Sequence, residues 1–241
     1  MDAEHLAIHT GFDALAWASA AGLALVLSRI ARIDFPVSPA QRTSYYAALA
    51  ASSGVGAYLF GTLNMIACGR WEISRSIEGA IFGGVLGIEI YKRCAGVTAR
   101  TGARFAGPLA IGVVVGRLGC FFSGIDDFTY GTPTSLPWAR DFGDGVMRHP
   151  VPLYESGAMA VFLTLYLIAV FGDRRWFIVN GFYLAVLWYA VQRFAWEFFK
   201  PYAPVVGPLT VFQLLSLALG LYALAMLATS KGRSHERAVL A

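Results

Sequence analysis

Long apolar runs separated by short polar stretches set the pattern of this 241-residue chain. Seven such runs lie near 12–31, 43–67, 76–95, 105–124, 151–171, 176–199 and 208–229. Each has roughly the 17–25 residues that a helix needs to cross a bilayer. The pattern predicts an all-α, polytopic membrane protein with seven transmembrane helices. The longest polar interval, about 125–150, is rich in Gly, Pro and Asp and contains "SLPWARDFGDGVMRHP". One integral-membrane domain over 1–241 is expected, with no internal repeat.

Composition agrees with the pattern. Hydrophobic residues make up 57% of the chain, mean hydropathy is +0.58 and only 14% is charged. A soluble domain carries about 25% charged residues. The net charge of +4 is no nucleic-acid signal, because the basic residues sit at the ends of apolar runs rather than in a stripe. Cys68, Cys94 and Cys120 are odd in number and far apart, which suits neither a disulfide framework nor a paired-cysteine metal site. The start, "MDAEHLAIHTGF", is acidic where a signal peptide would be basic, so a retained, translocated tail is expected.

Lys and Arg set the orientation. Most of them follow the first, third, fifth and seventh runs: Arg29, Arg32 and Arg42, then Lys92, Arg93, Arg100 and Arg104, then Arg174 and Arg175, then Lys231, Arg233 and Arg237. The opposite side has Arg70, Arg75, Arg140, Arg148 and Lys200. By the positive-inside rule the N-terminus is outside, the C-terminus is cytoplasmic, and the 125–150 loop is external.

Two arginines break the apolar runs. Counted from the inner ends at 1.5 Å per residue, Arg117 is roughly 20 Å deep and Arg193 roughly 25 Å, both near the outer leaflet. Asn64, Glu155, Thr210 and Gln213 are placed toward the same side, with Glu155 nearer to water. Tyr189, Arg193 and Glu197 are four residues apart and share one helix face, which must look into the bundle because charge facing lipid is costly. The simplest reading pairs Arg117 with Glu197. Two arginines against one deep carboxylate leave a cationic surplus, however, and a guanidinium fork suits phosphate. An anionic phospholipid headgroup is the expected ligand. Gly83 with Gly87, and Gly112 with Gly116, predict close helix packing.

"GRLGCFFSG", "RHPVPLYE", "YAVQRFAWEFF" and "LTVFQLLSL" together resemble the bacterial prolipoprotein diacylglyceryl transferases over about residues 45–225. The family pattern is roughly GRxGNFxNGE, a loop Gly, RHPxQLYE and YxxxRxxxEFFR. The resemblance implies a multi-pass protein of the bacterial cytoplasmic (inner) membrane. It would move the diacylglyceryl group of phosphatidylglycerol to the lipobox cysteine of a preprolipoprotein, releasing glycerol phosphate. Phosphatidylglycerol is then a substrate, the preprolipoprotein signal peptide is a partner, and neither a cofactor nor a metal is expected. Carried over by position, Arg117 and Arg193 hold the phosphate, with Glu197 and Tyr189 orienting Arg193. Gly131, Arg148, His149, Tyr154 and Glu155 match the loop motif.

The chain also departs from that pattern. Phe82 stands in "AIFGGVLG" where the family has a histidine, and Cys120 replaces the family asparagine. Ile125 stands where an acid is expected, followed by Asp126 and Asp127. A thiol with a pKa near 8.5 needs help to ionise. His149 or Asp126 is therefore expected to serve as base, while Cys120 is expected to pack rather than react. A non-catalytic relative that binds or presents an anionic phospholipid in a membrane assembly is the alternative. A retinal protein is disfavoured, because its Schiff base needs a lysine in the last helix and Leu209–Thr229 has none.

Overall fold

The computed structural model describes residues 3–31, 33 and 35–239. Arg32 of the charge pattern and both chain ends, on which the orientation reading turns, lie outside the described residues. Among those described, the long α-helices are α1 (Ala3–Ile30), α2 (Pro39–Ala67), α3 (Ile77–Cys94), α4 (Ala106–Phe122), α5 (Val151–Phe171), α6 (Arg175–Glu197) and α7 (Val211–Val239). Five stretches are long and apolar enough to cross a membrane: Ala7–Ile30, Pro39–Ala67, Gly102–Phe122, Val151–Phe171 and Val211–Thr229. The other two helices are diluted by charge. Glu78, Glu89, Lys92 and Arg93 lie on α3, and Arg175, Arg193 and Glu197 on α6. Large apolar side chains such as Trp17, Ile168, Phe171 and Leu221 point outward. That surface is suited to lipid rather than water. The protein is a multi-pass membrane protein.

The chain forms two compact units. The first contains residues 1–33, 102–201 and 222–241; the second contains 34–101 and 202–221.

In the second unit, α2 and α3 meet almost backbone to backbone. A Cβ on Gly56 would collide with Gly79 O and Gly83 Cα, and one on Gly83 with Ser52 O. Small residues permit this approach where lipid supplies no hydrophobic drive. Pro39 starts α2, where a missing N–H costs nothing. Ser76 caps α3 by accepting from Gly79 N at 3.2 Å. Glu78 is fully buried and accepts from Ser216 Oγ at 2.5 Å. Asn64, Thr210 and Gln213 also belong to this unit, and all are buried.

In the first unit, α4 packs against α1, α5 and α6. The expected glycine pair on α4 is not its contact: nothing lies within 4 Å of a Cβ on Gly112 or Gly116. The close approaches are at Gly107 against Leu27 and at Gly119 against Phe12. Helical spacing places residues on one face but does not say which face is covered. Ser156 Oγ of α5 donates to Val114 O of α4 at 2.9 Å. Trp188 Nε1 of α6 donates to Ala158 O of α5 at 2.9 Å.

The loop between α4 and α5 holds a two-stranded antiparallel hairpin, β1 (Arg140–Asp141) and β2 (Met147–Arg148). Asp141 Oδ1 accepts from the N–H groups of Gly143, Asp144 and Gly145 at 2.8, 3.1 and 3.0 Å, which closes the turn. Gly143 and Gly145 adopt the positive φ that this turn requires.

Candidate functional site

Three helices place charge at one buried point of the first unit. Arg117 comes from α4, Glu155 from α5, and Arg193 and Glu197 from α6. Glu155 is fully buried and forms the hub. Its Oε2 lies 2.9 Å from Arg117 Nε. Its Oε1 lies 2.8 Å from Arg193 Nη1 and 3.1 Å from Lys200 Nζ. The same Arg193 Nη1 is 2.7 Å from Glu197 Oε2, one helical turn along. Tyr189 is fully buried one turn earlier on α6.

This arrangement corrects two expectations. Glu155 is no water-side residue; it is among the most buried groups in the unit. Lys200 is no loop charge either, with only 5% of its surface exposed. It follows Glu197 in "EFFK", where the family pattern ends in arginine, and that match was the signal for it. Burial, reinforced by the Arg193 guanidinium, pushes the Lys200 ammonium down to about 8. Arg117, Arg193 and Lys200 thus gather about Glu155, with Glu197 beside Arg193. The cluster is removed from solvent.

The loop residues form a second group. His149 Nδ1 lies 3.3 Å from the Tyr154 hydroxyl, and its ring meets Phe199 at 4.9 Å. Tyr154 accepts from Trp138 Nε1 at 2.8 Å and packs on Trp196 at 5.3 Å. His149 thus sits in an aromatic setting formed by the start of α5 and the end of α6. Gly131 is required there, because a Cβ would stand 2.5 Å from both His149 Cβ and His149 O. Arg148 is bound by Asp144, whose Oδ2 accepts from Nε at 3.2 Å and from Nη2 at 2.5 Å. Its guanidinium also covers Tyr130 at 4.8 Å.

Asp126 is exposed. It is Asp127 that turns inward, to His9 of α1 at 3.2 Å. Cys120 lies beside the cluster, with its Sγ 3.7 Å from Arg117 Nη1. Phe82, in the second unit, packs edge-on against Phe60 at 5.3 Å. Lys200 and His9 are the site residues that sequence reasoning missed. Nothing local tied His9 to the site, since Cys120 and Asp127 lie more than a hundred residues away in the sequence.

The profile of the prolipoprotein diacylglyceryl transferase family matches residues 14–229. Similar proteins include three named phosphatidylglycerol–prolipoprotein diacylglyceryl transferase. That of Finegoldia magna is 39% identical over 48% of this chain and 44% of its own. That of Methylococcus capsulatus is 35% identical over 68% and 64%. That of Geobacter sulfurreducens is 35% identical over 70% and 65%. The chain therefore spans less than two thirds of the length of each of these relatives.

Proposed function

This chain belongs to the prolipoprotein diacylglyceryl transferase family, and on that premise we propose that it transfers a diacylglyceryl group from phosphatidylglycerol to the lipobox cysteine of a preprolipoprotein. The observation that carries this reading is the gathering of three buried basic side chains, Arg117, Arg193 and Lys200, about Glu155. In the reaction the cysteine thiolate attacks the glycerol carbon that carries the phosphate. A C–S bond forms, the C–O bond breaks, and glycerol phosphate leaves with the electron pair. A preorganised cationic site stabilises the charge that grows on that leaving group.

In this reading Arg117 and Arg193 face the phosphate. Glu155 and Glu197 hold the two guanidinium groups in place, and Tyr189 lines the cluster beside them. Gly131 and Tyr154 shape the loop around His149, which is the proposed proton acceptor for the acceptor thiol, with Asp126 as the exposed alternative. The loop at 125–150 receives the lipobox segment, and Arg148 fixes its hairpin. The proposal includes seven spans in one membrane domain, an outer N-terminus, a cytoplasmic C-terminus and residence in the bacterial inner membrane.

One observation favours a second reading. Phe82 fills the family histidine's position with a ring packed on Phe60, as a lipid-binding relative without catalysis would allow. The two readings separate in a conversion assay with purified protein, phosphatidylglycerol and a lipobox peptide, followed by mass spectrometry. A diacylglyceryl adduct on the peptide cysteine supports the transferase. No adduct, beside an active family member run in parallel, leaves the lipid-binding reading.

A further inference from the structure

One turn beyond Arg117 on α4, three different donors converge. Donor atoms of His9, Cys120 and Asp127 all lie within 4.8 Å of one another. All three residues are partly buried. His9 Nε2 stands 3.2 Å from Asp127 Oδ1. The remaining polar atoms of both residues are occupied. Asp13 Oδ2 faces His9 Nδ1 at 3.2 Å, and Thr129 Oγ1 donates to Asp127 Oδ2 at 2.5 Å. These outer partners fix the ring and the carboxylate, as the second shell of a metal site does.

Packing holds the arrangement. Phe12, one turn after His9, lies against Gly119, where an added Cβ would come within 2.5 Å of the Phe12 Cβ. Phe12 also stacks on Phe122 at 5.5 Å. Glycine at 119 is what lets α1 bring His9 up to Cys120.

We propose that His9, Cys120 and Asp127 form a binding site for a zinc-type divalent cation, with water as its fourth ligand. Nitrogen, thiolate and carboxylate oxygen are the donors such an ion takes, and three protein ligands leave one position open. With bonds of about 2.0–2.3 Å, tetrahedral donors stand roughly 3.3–3.6 Å apart. The His9–Asp127 spacing of 3.2 Å is already close to that. A thiolate and a carboxylate balance the two charges of the ion, and the displaced protons leave to solvent. Arg117 Nη1 donates to Cys120 Sγ at 3.7 Å and so helps to fix the sulfur, and Glu155 meets the guanidinium in turn. The site adjoins the proposed phosphate site through Arg117, and it exists because this chain has cysteine where the family pattern has asparagine.

Tag-free protein in detergent, stripped of metal, would be titrated with Co²⁺ and then with Zn²⁺. The expected result is one equivalent of Co²⁺, a sulfur-to-cobalt charge-transfer band, and loss of that band on adding Zn²⁺. Cys120→Ser loses the band, and His9→Ala and Asp127→Ala bind more weakly. Asp13→Ala, at a side chain one third exposed, retains the ligands and weakens Co²⁺ roughly 10–100-fold. Thermal unfolding with EDTA reports whether each variant is folded. A folded wild type with no cysteine-dependent band, or a Cys120→Ser variant that binds Co²⁺ equally well, overturns the proposal and leaves a hydrogen-bonded cluster that ties α1 to the loop.

Discussion

Arg193 Nη1 lies 2.8 Å from Glu155 Oε1, both side chains are at most 2% exposed, and the pair joins α6 to α5. Because Glu155 also meets Arg117 and Lys200, its removal takes one carboxylate away from three buried basic groups at once. Breaking a buried pair by deleting one partner costs about 3–5 kcal/mol. Glu155→Gln is expected to lower the unfolding temperature in detergent sharply. Adding Lys200→Met should recover part of the loss, since it removes one stranded charge. A Glu155→Gln protein as stable as wild type would show that the cluster carries no such electrostatic tension.

His149 is the proposed proton acceptor, and general bases contribute typically 10²–10⁴-fold. His149→Ala is expected to lower transfer to a lipobox peptide by roughly 10²-fold. Phe82→His should restore little, because Phe82 packs on Phe60. Unchanged turnover in His149→Ala would remove that residue from the chemistry.

Gly131 and Gly112 make a matched test of packing. A Cβ on Gly131 meets His149 backbone and side chain at 2.5 Å, whereas one on Gly112 meets nothing within 4 Å. Gly131→Ala is expected to destabilise by about 1–3 kcal/mol and to impair transfer by displacing His149. Gly112→Ala should be neutral or slightly stabilising, since alanine favours the helix. Thermal unfolding and turnover of both variants check this, and equal effects would contradict it.

Much of the fold was legible because the bilayer imposes a length on each apolar run, and the helices lie where those runs were marked. That Arg117, Arg193 and Glu197 gather was legible too, but the carboxylate that meets Arg117 is Glu155, while Glu197 pairs with Arg193. An ionisable group in an apolar helix must find company, and helical spacing aligned Tyr189, Arg193 and Glu197. Depth beyond the helices was harder to read. Glu155 sits in the first turns of α5 and looked water-side, yet α4 and α6 cover it. Lys200 follows the end of α6 and counted as a loop charge until the chain was seen folding it back. Gly112 and Gly116 satisfied a spacing rule at positions where no described neighbour comes within 4 Å of an added Cβ. His9 had no local signal, because its meaning depends on α1 meeting α4 at Gly119.

Acid should loosen the hairpin between α4 and α5 before the helices. Hydrogen bonding to Arg148 holds the Asp144 carboxyl below its ordinary value near 3.8. A depressed carboxylate contributes its stability above the ordinary value and loses it as pH falls through the lowered one. The amide protection factor at residues 141–148, which is the exchange rate corrected for its intrinsic pH dependence, is therefore expected to be constant from neutral pH to about pH 5 and to fall below about pH 4. Asp144→Asn should exchange faster already at neutral pH. A profile that is the same in both proteins would contradict the role of the pair.

The central claim is that the basic cluster of Arg117, Arg193 and Lys200 binds the phosphate of an anionic phospholipid. Native mass spectrometry of protein released from phosphatidylglycerol-containing micelles tests it most directly. Wild type should retain one phosphatidylglycerol. Arg117→Ala should lose it, and Arg193→Lys, which keeps the charge but not the planar fork, should retain it more weakly by about 1.5–3 kcal/mol. Equal retention by all three proteins would contradict the account.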